Sequence, residues 1–289
     1  MKIGFIGLGN LGTPIALNIL ERGHELLVYN RTVSKTEALA TKGAKVCTDI
    51  ALLASQTEIV FSIVSDDAAL SNIVRSESGL LNHLKPGSIH ISMSTILPHT
   101  AKNMAALHAQ HQLHYLSAPV FGRPETAMAR KLNFVLSGED KIRVQVESIL
   151  RDAGAAGIWD FGDDPTAANT VKLCGNFLIA SAIEAIGEST DLAGKSGVNP
   201  KQMWEMLLQT LFNAPVYHNY SNILINKMFE PASFTAKLGL KDLKLVLQQA
   251  ENVSHSMPLA RLLKENMQNL VDEGRGSIDW SAVSLGIKN

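Results

Sequence analysis

The amino-acid sequence predicts an α/β protein in which a doubly wound parallel sheet over residues 1–162 is followed by an all-α domain over residues 163–289. Short β-rich runs alternate with amphipathic segments through the first half, as in parallel sheets with helices on both faces. After Gly162 this pattern changes, and no convincing strand follows Phe161. An uninterrupted stretch of about thirty residues then predicts one long helix, roughly 45 Å in length, that leads into the second domain.

The strands of the first half are short and apolar. Glu58–Val64 is apolar on both faces, which is typical of a central parallel strand. An amphipathic helix is predicted over Thr13–Arg22, and Ser34-Lys-Thr-Glu37 has the spacing of a capping box that opens a helix to about Lys42. The predicted strands are Ile3–Ile6, Glu25–Tyr29, Glu58–Val64, Ser88–Ser92, His114–Ser117 and Asn133–Ser137.

Helix-start signals divide the second half. Asp163-Asp164-Pro165 places acids near an N-cap and proline near the first turn of the long helix. Asn199-Pro200 restarts a helix in the same way. Three further helices are predicted, at about Pro215–Lys227, Thr235–Val253 and Pro258–Asp272.

Composition limits the kinds of partner. The chain has 289 residues, 46% apolar and 18% charged, so it can bury a large core. A net charge of −1 gives no electrostatic footprint for nucleic acid. No apolar run approaches the ~18–20 residues of a membrane helix, and the first ten residues are too short for a secretory signal. Cys47 and Cys174 stand apart without a CxxC motif, so we expect a cytoplasmic protein without a metal site.

A glycine-rich loop follows the first strand. Gly7-Leu8-Gly9-Asn10-Leu11-Gly12 is G-x-G-x-x-G between a strand and a helix, the context of a dinucleotide-binding loop. The first glycine permits a tight turn, the second a close approach to a pyrophosphate, and the third helix–strand packing. The alternative is a glycine-rich turn without a ligand. The motif predicts a Rossmann-type site formed by Gly7, Gly9, Asn10, Leu11 and Gly12.

The end of the second strand indicates which dinucleotide binds. NAD-binding folds usually place an acid here for the ribose 2′-hydroxyl, whereas this chain has Asn30-Arg31-Thr32. Arg31 suits a 2′-phosphate by charge and by stacking on adenine, and Asn30 and Thr32 suit it by hydrogen bonding. We therefore expect NADP(H) to be preferred, with NAD(H) possible. The alternative is that Arg31 is a solvated surface charge.

The opening segment, GFIGLGNLGTPIALNILERGHELLVYNRT, resembles the β-hydroxyacid dehydrogenase family. That family includes 3-hydroxyisobutyrate dehydrogenase, tartronate semialdehyde reductase and glyoxylate/succinic semialdehyde reductases, and it is related to 6-phosphogluconate dehydrogenase. Four further stretches match in order, so the resemblance covers nearly the whole chain. They are Ser92–Pro98 (SMSTILP), Ala118–Gly122 (APVFG), Lys172–Asn176 (KLCGN) and Gly239–Leu243 (GLKDL).

The resemblance implies that Lys172 is the general acid or base, with Asn176 orienting the substrate or the lysine. The two residues are four apart and share one helix face, in what we expect to be a cleft between the domains. A lysine there can protonate a carbonyl oxygen as hydride reaches the carbon. The alternative is that Lys172 is a solvated charge.

Further site residues come from the same resemblance. Thr95 is expected to contact substrate or the nicotinamide ribose; it could also cap the helix that follows Pro98. For Lys241 the alternative is a plain basic helix face without a role in the site, because Lys237 and Lys244 are its neighbours. The residues expected to line the cofactor cleft or to close over nicotinamide and substrate are Val64, Ser65, Asp66, Phe234, Lys241 and Asp242.

One motif departs from the family pattern. Many members have serine in A-P-V-S-G, where it helps to bind the substrate carboxylate, and this chain has Phe121 before Gly122. Arg123 either replaces that anchor with a bidentate contact or faces solvent. Imine reductases resemble the Phe-Gly-Arg-Pro segment but typically lack the lysine, so Lys172 favours carbonyl chemistry.

These features predict an NADP(H)-dependent oxidoreductase that interconverts a small β-hydroxyacid and its aldehyde or keto acid. Two alternatives stay open: reduction of imines or bulkier carbonyls on the same fold, and a non-catalytic nucleotide-binding scaffold. We expect a homodimer, because long apolar helices must cover their apolar stripes.

Overall fold

The computed structural model describes residues 1–287. The chain forms two compact units, an N-terminal unit of Met1–Lys172 and a C-terminal unit that begins at Leu173. The division falls within one long helix, so each unit is described separately.

The N-terminal unit is built on one sheet. Its first six strands, in the spatial order β3-β2-β1-β4-β5-β6, are all parallel, which is the doubly wound order of a dinucleotide-binding fold. β8 then pairs antiparallel with β6 and β7, and β9 pairs parallel with β8. The strands among residues 1–287 are β1 (Lys2–Ile6), β2 (Glu25–Tyr29), β3 (Lys45–Val46), β4 (Ile59–Ser62), β5 (Ile89–Ser92), β6 (His114–Ser117), β7 (Val120–Phe121), β8 (Leu132–Gly138) and β9 (Ala155–Asp160).

Helices cover both faces of this sheet. Along β4, Val60 packs in one apolar cluster while Ile59 and Phe61 pack in the other, so the strand is buried on both faces as its apolar run predicts. The fold class expected from the sequence is confirmed. The helices of this unit are α1 (Gly12–Glu21), α2 (Glu37–Ala40), α3 (Ile50–Ser55), α4 (Asp67–Arg75), α5 (Leu80–His83), α6 (Pro98–Gln110), α7 (Pro124–Met128) and α8 (Asp140–Asp152).

The expected capping box is wrong. Val33–Thr36 forms a 3₁₀ turn and α2 follows it, with no side chain capping either segment. The Thr36 hydroxyl donates a 2.7 Å hydrogen bond to the Val33 carbonyl within the turn. This local bond stabilises the tight turn in place of one longer capped helix.

The C-terminal unit is helical. Helix α9 (Ala167–Lys195) begins in the N-terminal unit and continues into this one, followed by α10 (Pro200–Gln209), α11 (Pro215–Ile225), α12 (Ala236–Asn252) and α13 (Pro258–Leu270). The Asn199 side chain accepts bonds from the Lys201 and Gln202 N–H groups, which confirms the helix start predicted there. In the described part of this unit the extended backbone is limited to one isolated bridge. The core is lined by Ile183, Trp204, Leu240, Leu263, Met267 and Trp280.

Helix α9 is long and apolar enough, by length and composition, to cross a membrane. The expectation that no apolar run approached that length is therefore wrong. A core helix of a globular domain meets the same test. In the C-terminal unit, Ala180, Ile183 and Ile186 of this helix pack in the core. The lack of a membrane partner stays a prediction.

Candidate active site

Several predicted site residues follow the carboxyl ends of neighbouring parallel strands. The glycine loop follows β1, Val64–Asp66 follows β4, Thr95 follows β5 and Phe121 lies just beyond β6. These four strands are adjacent and parallel, so their carboxyl ends lie at one edge of the sheet. Ligands of open α/β sheets bind outside this edge.

The backbone of the glycine loop leaves room for a ligand to approach closely. Gly7 has a φ of 100°, and a Cβ atom there would collide with the Ile63 carbonyl oxygen. A Cβ atom on Gly12 would collide with the Gly7 carbonyl oxygen, whereas Gly9 faces open space. The N-cap position of α1, Leu11, provides no side-chain cap, and the first turn has no acidic residue. The helix N-terminus therefore suits the anionic pyrophosphate of a dinucleotide.

Asn30 ties the glycine loop to the end of β2. Its Oδ1 accepts a 2.9 Å bond from the Leu8 N–H, and its Nδ2 donates a 2.8 Å bond to the Thr32 carbonyl. The Gly7 N–H also donates to the Tyr29 carbonyl at 3.1 Å. Asn30 thus positions the loop, a role that the sequence analysis missed, while Arg31 and Thr32 are exposed.

A hollow lies beside the glycine loop. It has a volume of about 440 Å³ and is lined by Gly9, Asn10, Ser34 and Lys35, among others. Lys35, exposed in the 3₁₀ turn, was not among the predicted site residues. The capping-box interpretation placed it in a helix, so its position beside the loop was not recognised.

The segment after β4 is held by local bonds. The Val64 N–H donates to the Ser94 hydroxyl at 2.8 Å, which links this segment to the one after β5. Asp66 caps α4 by accepting from the Ala69 N–H at 2.8 Å, and the Ser65 hydroxyl donates to its other oxygen. The Asp66 carboxylate therefore stabilises the start of α4.

Thr95 does not occupy the N-cap position of the helix after Pro98. The N-cap position of α6 is Leu97, and no side chain caps it from that position. Instead the Leu97 N–H donates to Asp67 Oδ1 at 3.0 Å. Thr95 lies two residues before that position, half-buried at the carboxyl edge, and its contact with substrate or the nicotinamide ribose stays a prediction.

Lys172 packs against the short strand β7. Its ammonium donates a 2.8 Å hydrogen bond to the Val120 carbonyl and lies 4.1 Å from the centre of the Phe121 ring. The side chain is half-buried, so the interpretation of Lys172 as a solvated charge is wrong. All three residues belong to the N-terminal unit, at the edge that carries the glycine loop.

The continuation of β7 is partly open. Gly122 is exposed, with a φ of 147°, and a Cβ atom there would crowd the Leu132 side chain. Arg123 is half-buried and occupies the N-cap position of α7. A bidentate contact of Arg123 with a substrate carboxylate stays a prediction.

Three predicted residues meet in the C-terminal unit. Asn176 Nδ2 donates a 2.5 Å bond to Asp242 Oδ2, and the Lys241 ammonium lies 2.7 Å from Asp242 Oδ1. Asn176 and Asp242 are buried, whereas Lys237 and Lys244 are exposed. Lys241 is therefore not simply part of an exposed basic helix face, because its ammonium pairs with the buried carboxylate of Asp242. Phe234 is separate from this group and packs edge-to-face on Trp280 at 4.9 Å.

The sequence analysis also missed a buried carboxyl group in the C-terminal unit. Glu184 of α9 is 3% exposed, and its Oε1 accepts a 2.5 Å bond from Asn266 Nδ2. Burial raises the pKa of Glu184 to about 7, against the opposing effect of the Asn266 bond. Nothing in the spacing of α9 distinguishes this glutamate from exposed ones.

A buried histidine pair links strand β5 to helix α6. His108 Nδ1 donates to the Met104 carbonyl, so its Nε2 accepts from His90 Nδ1 at 3.0 Å. His90 Nε2 in turn accepts from the Ser62 hydroxyl at 2.8 Å. Burial lowers the pKa of His90 well below its usual value and that of His108 to about 4, so both rings are neutral near pH 7. In residues 1–287 no cluster of three His, Cys, Asp or Glu side chains could hold a metal ion.

Two family models match the chain. The NAD binding domain of 6-phosphogluconate dehydrogenase matches residues 2–167, and the NAD-binding domain of NADP-dependent 3-hydroxyisobutyrate dehydrogenase matches residues 166–285. YfjR of Bacillus subtilis, an uncharacterized oxidoreductase, is 41% identical over 288 residues, which is 100% of each chain. A mitochondrial protein of Dictyostelium discoideum, named a probable 3-hydroxyisobutyrate dehydrogenase, is 29% identical over 97% of this chain and 89% of its own.

A solved structure shows the same fold. The 3-hydroxyisobutyrate dehydrogenase of Salmonella typhimurium superposes with a TM-score of 0.89 at 24% identity, over 99% of this chain and 100% of that one. The glycine loop and the family matches define an oxidoreductase that uses a pyridine nucleotide. The chain belongs to the β-hydroxyacid dehydrogenase family, as its motifs predict.

Proposed function

We propose that this protein interconverts a small β-hydroxyacid and its aldehyde or keto acid with NADP(H), and that Lys172 is the general acid or base. One observation carries the proposal. The Lys172 ammonium is held at the carboxyl edge of the sheet by the Val120 carbonyl, 2.8 Å away, in the unit that carries the glycine loop. A proton donor and a dinucleotide loop at one edge are what carbonyl reduction needs.

Each group of residues has a separate role in the proposed reaction. The hydride would come from a dihydronicotinamide held by this unit. The backbone N–H groups of the glycine loop and of the first turn of α1 would hold its pyrophosphate. Lys172 gives a proton from Nζ to the carbonyl oxygen in reduction and takes it from the hydroxyl group in oxidation. Asn176, whose Nδ2 donates a 2.5 Å bond to Asp242 Oδ2, is proposed to orient the substrate or the lysine.

We propose NADP(H) over NAD(H) because cations stand where an NAD-specific site has an acid. Arg31 is exposed at the end of β2, and Lys35 lines the hollow beside Gly9 and Asn10. A 2′-phosphate gains ion pairs as well as hydrogen bonds from such groups, whereas a neutral ribose hydroxyl gains hydrogen bonds alone.

We also propose a cytoplasmic homodimer. Large apolar side chains of the C-terminal unit are exposed on several helices, and a second copy would cover them. They include Leu178 (65% exposed) and Leu192 (68%) on α9, Met206 (55%) on α10, and Leu259 (45%) and Leu262 (47%) on α13.

The substrate class is tested by NADPH oxidation with a panel of glyoxylate, succinic semialdehyde, neutral aldehydes and cyclic imines. We expect turnover with the aldehyde acids and little with the imines, because Lys172 can protonate a carbonyl oxygen. NADPH without substrate gives the background rate. Turnover confined to cyclic imines would contradict the proposal, and no turnover with any compound would favour the non-catalytic scaffold.

A further inference from the structure

The ring of Phe121 lies against the ammonium of Lys172. The distance from Nζ to the ring centre is 4.1 Å, well inside the ~6 Å range of a cation–π contact. The same ammonium donates to the carbonyl of the preceding residue, Val120, at 2.8 Å. Two consecutive residues of β7 therefore hold the lysine, one through its backbone and one through its side chain.

β7 is a firm support for these contacts. It pairs antiparallel with β8, with Val120 opposite Phe134 and Phe121 opposite Asn133. Val120 and Phe134 are buried, which fixes the register. Because side chains alternate along a strand, Phe121 points away from this core, where it is half-buried beside Lys172.

The remainder of the ring is an apolar surface beside the proton donor. A phenyl ring has no hydrogen-bond donor, and its face carries partial negative charge. A hydroxyl or carboxylate placed against it gains no partner, whereas a methyl group gains apolar contact.

We propose that Phe121 positions Lys172 and selects substrates whose substituent next to the reacting carbon is alkyl rather than hydroxyl. The inference rests on the proposed function, in which Lys172 exchanges a proton with the carbonyl oxygen. A carbonyl oxygen that takes the proton lies about 3 Å from Nζ, and Nζ lies 4.1 Å from the ring centre, so the substituent next to the reacting carbon can reach the ring. Phe121 is thus a positioning and specificity residue, while the proton moves through Lys172.

The contact between Lys172 and Phe121 is tested first by a measurement that does not depend on catalysis. Reductive methylation by formaldehyde and cyanoborohydride, followed by mass spectrometry, gives the modification rate of each lysine. In Phe121→Leu, Lys172 should react about two- to fivefold faster than in the parent, because the cation–π contact is lost. Phe121→Tyr keeps the aromatic face and should restore the parental rate, and Phe161→Leu, which changes an exposed phenylalanine of the same unit, should have no effect. An unchanged rate for Lys172 in Phe121→Leu would overturn the positioning role.

Catalysis is tested with two stable hydroxyacids of matched size, 3-hydroxyisobutyrate and glycerate, which differ by a methyl group in place of a hydroxyl. We expect Phe121→Leu to lower kcat about tenfold or more, because the lysine is less well placed, and Phe121→Tyr to recover it. Phe121→Ser should lower the preference for the methyl compound, measured as the ratio of kcat/KM values, by about tenfold. An unchanged ratio would overturn the specificity role. If Lys172→Ala keeps its turnover the proposed function fails, yet the methylation rates still decide whether Phe121 holds the lysine.

Discussion

At the scale of single residues, two neighbours at the end of β2 have different roles, one in shaping the glycine loop and one in the proposed binding of cofactor. Asn30 uses both ends of its amide within the protein, accepting from the Leu8 N–H and donating to the Thr32 carbonyl. Arg31 is exposed and projects from the same turn. Asn30 therefore shapes the glycine loop, and the exposed Arg31 is the nearest charged group proposed to contact a 2′-phosphate.

Replacing Arg31 with alanine should weaken NADPH binding far more than NADH binding. A charge-assisted phosphate contact contributes about 1.5–3 kcal/mol, which corresponds to roughly a 10–150-fold change in Kd. Titration of nucleotide fluorescence measures both constants. Arg75→Ala removes another exposed arginine, at the end of α4, and should change neither. Equal affinity of the parent protein for NADPH and NADH would contradict the cofactor preference.

The sequence predicted which residues form the site better than it predicted the contacts that they make. The G-x-G-x-x-G spacing and the family motifs located Gly7, Gly12 and Lys172. The contact of Lys172 with Phe121 depends on the register of β7 against β8, which no local pattern encodes. Lys35 was missed because a hydrogen bond inside one turn, from Thr36 to Val33, decides between a 3₁₀ turn and a capped helix.

At the scale of elements, α9 carries a different chemistry in each unit. In the N-terminal unit it presents Lys172, and in the C-terminal unit it presents Asn176 and the buried Glu184. Its length was predictable from the absence of proline. The burial of Glu184 was not, because it depends on Asn266 of α13, 82 positions further along the chain.

Glu184 should make stability depend on pH. Its pKa is raised from 4.5 to about 7 in the folded protein, so folding favours the protonated carboxyl group. The free energy of unfolding should therefore fall as pH rises from about 4.5 to about 7, by at most about 3 kcal/mol. Glu184→Gln should remove this slope, because glutamine is neutral and can still accept from Asn266.

Urea unfolding between pH 5 and pH 8 measures the effect, with fluorescence of Trp204 and Trp280 as the signal from this unit. Glu205→Gln removes an exposed carboxyl group on α10 and should keep the parental slope. A slope that persists in Glu184→Gln would show that other groups cause it.

At the scale of the whole molecule, the alternation of strands and helices predicted a doubly wound parallel sheet and the change to an all-α second half. The sequence predicted less well the antiparallel pairing of β7 and β8 and the presence of the last strand, β9. β9 has only one buried residue, Ala155, so its pattern is not that of a central strand. Its place is set by pairing with β8 rather than by its own hydrophobicity.

A dimer is the prediction at this scale. Light scattering at micromolar concentration should give a mass near twice 31.3 kDa. The double variant Leu178→Glu, Leu192→Glu should shift the protein toward monomer, because both side chains are exposed on α9 and charges cannot be buried there cheaply. Val144→Glu, on the exposed face of α8, is the matched control and should leave the dimer intact. A monomeric parent protein would remove this claim.

The central claim is that Lys172 exchanges the proton in a nicotinamide-dependent carbonyl reaction. Lys172→Ala should fold and bind NADPH as the parent does, because the glycine loop and Arg31, rather than Lys172, are proposed to hold the phosphates. Lys172→Arg should not restore activity, since a guanidinium does not release its proton at working pH. Lys195→Ala, at the far end of the same helix, is the control and should keep parental turnover.

The decisive measurement is kcat of Lys172→Ala on the best substrate of the parent protein, with NADPH affinity measured in the same preparation. The account predicts unchanged NADPH affinity and a loss of turnover of about 10²–10⁴-fold, the size expected when a general acid or base is removed. Near-parental turnover would contradict it, because the proton would then come from another group and the proposed mechanism would fail.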